Sequence, residues 1–238
     1  MSTKLDKLSF SSRVGLNARL ITYRYEQLAR FFKGRTCLEL GCADGQSLAP
    51  LLARFDEVVA VDGSAKLLAS LRESIDAKHL TLVHSMFESL ALARKFDTVI
   101  LGHVLEHVDD PRRVIRVAMR HLVPSGVLVA DVPNANSIHR RIGVKLGMIG
   151  KVTDLNDADR SIGHQRVYTP ERFRREFTSL GLRVVHAGGF FLKPLSNAQM
   201  DAMLDERQLA AFLELGKDLP ELAAEIYVVC RLPSRKAT

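Results

Sequence analysis

The sequence predicts an α/β fold: a mostly parallel β-sheet with helices on both faces. Three observations predict it. Short β-rich runs alternate with amphipathic stretches over most of the chain, the first of these runs leads straight into a small-residue turn, and the second ends in a carboxylate. Strand–helix–strand alternation calls for parallel strands joined by right-handed crossovers. With 238 residues the chain suits one α/β domain plus a small insert or cap.

Residues 1–34 read as a helical cap, with Leu16, Leu20, Tyr23, Leu28 and Phe31 at near-helical spacing and Gly34 as the stop. The β-rich runs follow at 36–40, 57–62, 80–84, 96–101, 126–132, 183–190 and 225–231, with helical stretches at 46–54, 64–75 and 110–122. Residues 35–132 thus form the ligand-binding core and 171–233 its C-terminal continuation. Between them, 133–170 breaks the rhythm with Pro133, four glycines and scattered charges. That is long for a plain connection, so it is expected to be a lid that carries substrate contacts. At its end, Thr169 reads as a helix N-cap and Pro170 as the first helical residue. The tail after Pro233 reads as disordered.

Hydrophobic residues make up 47% and charged residues 26%, a globular composition. No apolar run reaches the roughly 18–20 residues of a membrane span, and the N-terminus lacks the apolar core of a signal peptide. Both point to the cytoplasm and away from a membrane. The three cysteines, Cys37, Cys42 and Cys230, include no CxxC pair, so they read as small buried residues rather than a disulfide framework or a zinc site. Net charge is +7, but the basic residues are dispersed and Trp is absent, which argues against nucleic acid as a partner.

The most informative stretch is Leu38-Glu39-Leu40-Gly41-Cys42-Ala43-Asp44-Gly45. An apolar strand runs into a small-residue turn and then a helix, which is where ligands sit in open parallel sheets. The nicotinamide fingerprint GxGxxG fails here, because Ala43 and Gln46 occupy its second and third glycine positions. Asp62 closes the next strand 21 residues after Gly41, a spacing that fits a carboxylate accepting ribose hydroxyls.

These residues resemble the class I S-adenosylmethionine-dependent methyltransferases, whose pattern is (D/E)xGxxxG followed by an acidic end to the second strand. The resemblance covers about residues 35–135. It continues through Phe96–Ile100, His103–Val108 with Asp110-Pro111, and Leu122-Val123-Pro124-Ser125-Gly126-Val127-Leu128. It is closest to small-molecule methylases, including those of quinones and sugars. Ala43 and Ser125 stand where many members have Gly, and Met86 where many have Asp. The resemblance implies a Rossmann-like sheet of seven strands, the last one antiparallel, and S-adenosylmethionine as cofactor. It assigns Glu39 to the methionine ammonium and Asp62 to the ribose. Gly41, Cys42, Ala43 and Gly45 form the turn, Met86 and Phe87 line the adenine, and His103 lies near the methionine moiety.

Methyl transfer is a direct displacement, so the protein mainly aligns a small-molecule acceptor, and a hydroxyl acceptor gains from a general base. His107 shares a helical face with His103, and with Glu106 alongside there is no third clear metal ligand, so no metal is expected. In Gly163-His164-Gln165-Arg166-Val167-Tyr168 the polar residues alternate, which would point His164, Arg166 and Tyr168 to one side of an extended run. His164 and His107 are the candidate catalytic residues, and Arg166 and Tyr168 the candidate acceptor contacts. The 133–170 stretch holds six Lys or Arg against three Asp, which fits an anionic acceptor and equally a solvated basic face. A non-catalytic cofactor-binding protein of the same fold and a nicotinamide-dependent oxidoreductase are the alternatives.

Overall fold

The structure, a computed structural model, describes residues 15–233. The first part of the expected 1–34 cap and the tail after Pro233 lie outside the described residues. One sheet of seven strands runs through the molecule: β1 (Thr36–Leu40), β2 (Glu57–Asp62), β3 (Leu80–His84), β4 (Phe96–Gly102), β5 (Leu122–Pro133), β6 (Arg183–Phe190) and β7 (Glu225–Arg231). Their spatial order is β3-β2-β1-β4-β5-β7-β6. β1 to β5 are parallel, and β7 inserts antiparallel between β5 and β6, pairing Ala130 with Val228 and Ala187 with Val228. The expected strand run at 126–132 begins four residues earlier, at Leu122, because Phe96 pairs with Leu122 ahead of an irregularity in the register.

Buried strands explain the apolar runs. Val58 to Val61 and Val99 to Leu101 are enclosed on both faces, as central parallel strands require. On one face pack α4 (Pro111–Arg120) and α7 (Pro170–Thr178); on the other pack α1 (Gly15–Ala29), α2 (Leu48–Arg54) and α3 (Ala65–Ser74). Asp110 caps α4 by accepting from the Arg113 amide, and Thr169 caps α7 by accepting from the Arg172 amide, with Pro111 and Pro170 at the first helical positions.

The stretch after β5 is partly ordered by short helices, α5 (Ile138–Lys145) and α6 (Asp157–Ser161). Its stem is pinned: Asn134 bridges Tyr168, the Ala135 amide donates to Tyr168 O, and the Asn134 side chain donates to Ala223 O. Arg140 is buried inside it, donating to Val152 O at 2.7 Å and pairing with Asp159 at 3.0 Å. Two further helices, α8 (Asn197–Met203) and α9 (Glu206–Asp218), link β6 to β7, each opened by a capping box.

Candidate functional site

A cleft of about 2060 Å³ opens at the carboxyl ends of β1, β2, β4 and β5, under the 133–170 segment. That exceeds the roughly 300–1,000 Å³ of a single small-ligand pocket, so it has room for two ligands side by side.

The first half is built by the turn after β1. Gly41 has φ +89°, and a Cβ there would stand 2.6 Å from Val104. Ala43 sits in the left-handed region at φ +44°, held because its amide donates to Asp62 Oδ2 at 3.0 Å. Asp62 Oδ1 accepts from the Ser64 amide at 2.8 Å. The carboxylate is thus fixed at the cleft with further acceptor capacity. Burial raises its carboxyl pKa, against the pull of the Ser64, Ala43 and Gly63 amides. Met86 and Phe87 face this turn across the cleft, and Met86 is 53% exposed, so it is not core. Cys42 and Ala43 also line the cleft.

Two expected cofactor residues are displaced from the wall. Glu39 is fully enclosed behind Tyr25, Gly41 and Ser47, which form the surface there. Tyr25 donates to Glu39 Oε1 at 2.5 Å. Burial pushes the Glu39 carboxyl up to about 7, against the Tyr25 and Ser47 hydroxyls and Arg24. Gly45 does not face the cleft. At φ +83°, a Cβ would lie 2.4 Å from Leu71, so its role is close packing against α3.

At the floor, His103 has φ +52° and its Nε2 lies 3.3 Å from Asp131 and 3.5 Å from Glu225. Arg24, from α1, pairs with the same carboxylates at 3.1 and 3.7 Å. Burial and Arg24 push the His103 imidazole down, yet Glu225 and Glu106 outweigh them and its pKa is raised. Burial lifts Asp131 to about 6, while the nearby cations hold Glu225 at about 2.

The second half gathers His107 and His164, whose rings meet edge-on at 4.8 Å. His164 Nδ1 lies 3.4 Å from Asp159 Oδ1. Burial alone would raise the Asp159 carboxyl, but His164, the Asn156 amide and Arg140 hold it well below the usual range. Burial keeps the His107 pKa below the ordinary histidine value. Beside them lies Glu106, fully buried, 3.4 Å from His103 Nδ1 and with neither carboxylate oxygen hydrogen-bonded among the described residues. Ligand atoms of Glu106, His107 and His164 come within 4.8 Å of one another, so the fold supplies the third metal donor the sequence did not reveal. His103, Asp131 and Glu225 form a second such group, but Arg24 already neutralises it.

One acceptor assignment is corrected. Tyr168 is fully enclosed, its ring 5.6 Å from Phe173, and its hydroxyl donates to Leu105 O rather than into the cleft. Arg166 lines the cleft, and its guanidinium donates to the carbonyls of Leu105, Val108 and Asp109. Gln165 completes this clamp by donating to His107 O and Asp109 Oδ1. The segment is not a regular strand, so the alternation argument fails at Tyr168. Of the six cations in 133–170, Arg140 and Arg166 thus also brace the segment through hydrogen bonds. The sequence missed Tyr25, Arg24, Asp131, Glu225 and Lys193, which reach the site from α1, β5, β7 and the loop after β6 and carry no local motif.

A family model described as a methyltransferase domain matches residues 15–187. A ubiquinone biosynthesis O-methyltransferase of Rhodopseudomonas palustris (strain BisB5) is 24% identical over 168 residues, covering 69% of this chain and 64% of that protein. This chain therefore spans just under two thirds of that relative's length. Among solved structures, an S-adenosylmethionine-dependent methyltransferase from Mesorhizobium loti aligns with a TM-score of 0.63 at 19% identity, over 88% of this chain and 97% of that one. A glycopeptide N-methyltransferase complexed with S-adenosyl-L-methionine aligns with a TM-score of 0.60 at 17% identity, over 90% and 87% of the two chains. No helix of the described residues is long and apolar enough to cross a membrane.

Proposed function

The chain belongs to the class I S-adenosylmethionine-dependent methyltransferases, and from that premise we propose that it transfers a methyl group to an oxygen or nitrogen of a small, anionic molecule in the cytoplasm. The observation that carries this reading is Asp62, fixed at the cleft beside the left-handed Gly41–Ala43 turn and opposite Met86 and Phe87. When bound, S-adenosylmethionine supplies an activated methyl on a sulfonium. In this reading Asp62 would hold the ribose hydroxyls, Met86 and Phe87 would line the adenine, and the buried Glu39 carboxylate behind Tyr25 would offset the methionine ammonium's charge. The cofactor would bring both the methyl and its own leaving group, so this chain's part is to align the acceptor and handle its proton. His164, oriented by Asp159, takes the acceptor's proton. The 133–170 segment covers the cleft and excludes water, and half-buried Lys193 on its far wall offers a cation to an acidic acceptor.

Calorimetry with S-adenosylmethionine and with NAD separates this reading from an oxidoreductase, which would bind NAD. Incubation with labelled cofactor and a metabolite extract separates it from a non-catalytic binder, which would label nothing.

A second reading concerns the proton. Glu106, His107 and His164, with ligand atoms within 4.8 Å of one another, form a donor set for a first-row divalent ion with mixed nitrogen and oxygen ligands. An ion there would lower an acceptor hydroxyl's pKa directly. Loss of turnover in chelator and its return with Zn²⁺ or Mn²⁺ supports the ion; unaltered turnover supports His164 alone.

A further inference from the structure

On the reverse side of the sheet, at the amino ends of the parallel strands, a cavity of about 240 Å³ lies between the chain following α1 and strands β5 to β7. None of its lining residues lines the large cleft. Its polar wall is Arg30, Lys33, His186 and Arg231, and among the described residues no carboxylate lines it. Phe31 forms the base, with His186 against its ring at 4.7 Å and the Arg30 guanidinium over it at 4.7 Å. Arg30 also donates to the Tyr227 hydroxyl at 3.4 Å.

The strand register adds a fifth basic group. Arg183 of β6 stands directly opposite Arg231 of β7, so the two side chains share one face of the sheet. Like charges in that position repel. Among the described residues, none of Arg30, Lys33, Arg183 and Arg231 has an ion-pair partner within 4.0 Å, while other arginines of the chain do. The Arg231 Nε is buried with no hydrogen-bond acceptor among the described residues. Arg30 and Lys33 alone could be explained as cations complementing the carboxyl end of α1. That explanation does not reach Arg183 and Arg231, which stand on strands.

A buried guanidinium N–H without an acceptor, beside a repelling arginine pair, is the arrangement an anion would satisfy. Guanidinium groups match phosphoryl oxygens in geometry and charge. We propose that this cavity binds the phosphoryl group of a small phosphorylated molecule, at a site separate from the methyl-transfer cleft. Its volume admits a phosphoryl group and a few further atoms, not a dinucleotide.

The test is titration of the full-length protein with inorganic phosphate and with pyrophosphate at constant ionic strength, followed by calorimetry and ³¹P NMR. Saturable binding at one site is expected, weakened roughly tenfold or more by Arg231→Gln and by Lys33→Gln. S-adenosylmethionine affinity should be unchanged in both variants. Phosphate should raise the Tm of the wild type and not of Arg231→Gln, while Arg183→Gln should raise the Tm in phosphate-free buffer by removing repulsion. Should Arg231→Gln fail to fold, exposed Lys33 carries the comparison. Absence of saturable binding overturns the proposal, as does binding that survives both substitutions or is lost only in the cleft variant Lys193→Gln. An unbound cofactor alongside intact phosphate binding would count against the methyltransferase reading and leave this site standing.

Discussion

The phenol of Tyr25, on the first helix, donates a 2.5 Å hydrogen bond to Glu39 at the end of the first strand, and both groups are buried. The bond favours the ionised carboxylate, whereas burial favours the neutral acid and wins, placing Glu39 near 7. A raised folded pKa makes the protonated form the cheaper one to bury. Glu39 therefore favours folding most below its ordinary unfolded pKa of about 4.3, and that contribution is lost as pH rises through 7. Binding of a cationic methionine end runs the other way, because it needs the ionised form. Cofactor affinity should rise between pH 6 and 8, and Glu39→Gln should flatten the profile. Tyr25→Phe should weaken affinity at pH 7 roughly tenfold by removing a charge-assisted bond. Calorimetry across this range checks it; a flat wild-type profile would remove Glu39 from the cofactor site.

Asp62 both holds the turn and faces the cleft, so its replacements separate two roles. Asp62→Ala should lower cofactor affinity by about tenfold or more and also cost about 1–2 kcal/mol of stability, since the Ala43 and Ser64 amides lose their acceptor. Asp62→Asn keeps one acceptor oxygen and should recover most of the stability but not the affinity. Chemical denaturation and calorimetry on both variants give the comparison; equal affinity in all three proteins would contradict the ribose assignment.

Ala43 occupies a left-handed conformation that favours glycine, at φ +44°. A non-glycine residue there costs about 1–2 kcal/mol. Part of that is offset because glycine loses more chain entropy on folding. Ala43→Gly should therefore be neutral or stabilising by up to about 1 kcal/mol, read as an unchanged or higher Tm. A fall in Tm would mean that the Ala43 methyl packs better than the strain it carries.

These residues show what was legible in the sequence. The turn at Gly41 and the carboxylate at Asp62 are local features with fixed spacing to their strands, so pattern alone located them. β7 was legible as a strand because its five central residues are buried on both faces. α8 and α9 went unrecognised, although Ser196-Asn197-Ala198-Gln199 and Asp205-Glu206-Arg207-Gln208 carry capping boxes before modest apolar stripes. Gly45 and Tyr168 were misread for a different reason. A glycine that faces a ligand and one that faces a leucine look alike in sequence, and alternation in an irregular segment does not fix side-chain direction. Arg24, Asp131 and Glu225 converge on His103 from three elements, and only the strand order brings them together.

Glu106 offers a test for the metal reading that does not depend on turnover. A fully buried carboxylate with neither oxygen hydrogen-bonded is costly in the metal-free protein. Glu106→Gln should raise metal-free stability by about 1–3 kcal/mol and abolish ion uptake. Equilibrium dialysis against Zn²⁺ and Mn²⁺, with denaturation of both proteins in chelator, checks it. A destabilised variant with no ion bound to the wild type would assign Glu106 a purely electrostatic role beside His103, 3.4 Å away.

His164 and Arg166 lie two residues apart, yet the structure assigns them opposite kinds of failure. His164 lines the cleft with Asp159 behind it. His164→Ala should lower turnover by roughly 10²–10⁴ with little change in cofactor affinity. Arg166 instead ties three carbonyls of the 105–109 turn to the segment that carries His164. Arg166→Ala leaves the part-buried carbonyls of Leu105 and Val108 without this donor, so it should cost about 1–3 kcal/mol of stability and loosen the turn holding His107. Hydrogen exchange over 103–109 should speed up in Arg166→Ala and stay unchanged in His164→Ala. Turnover would fall in both, but lowering the temperature should restore part of it in the arginine variant alone, because that defect is one of folding. Wild-type turnover in His164→Ala, with the true acceptor in hand, would leave the acceptor's proton to Glu106, His107 or an ion held between them.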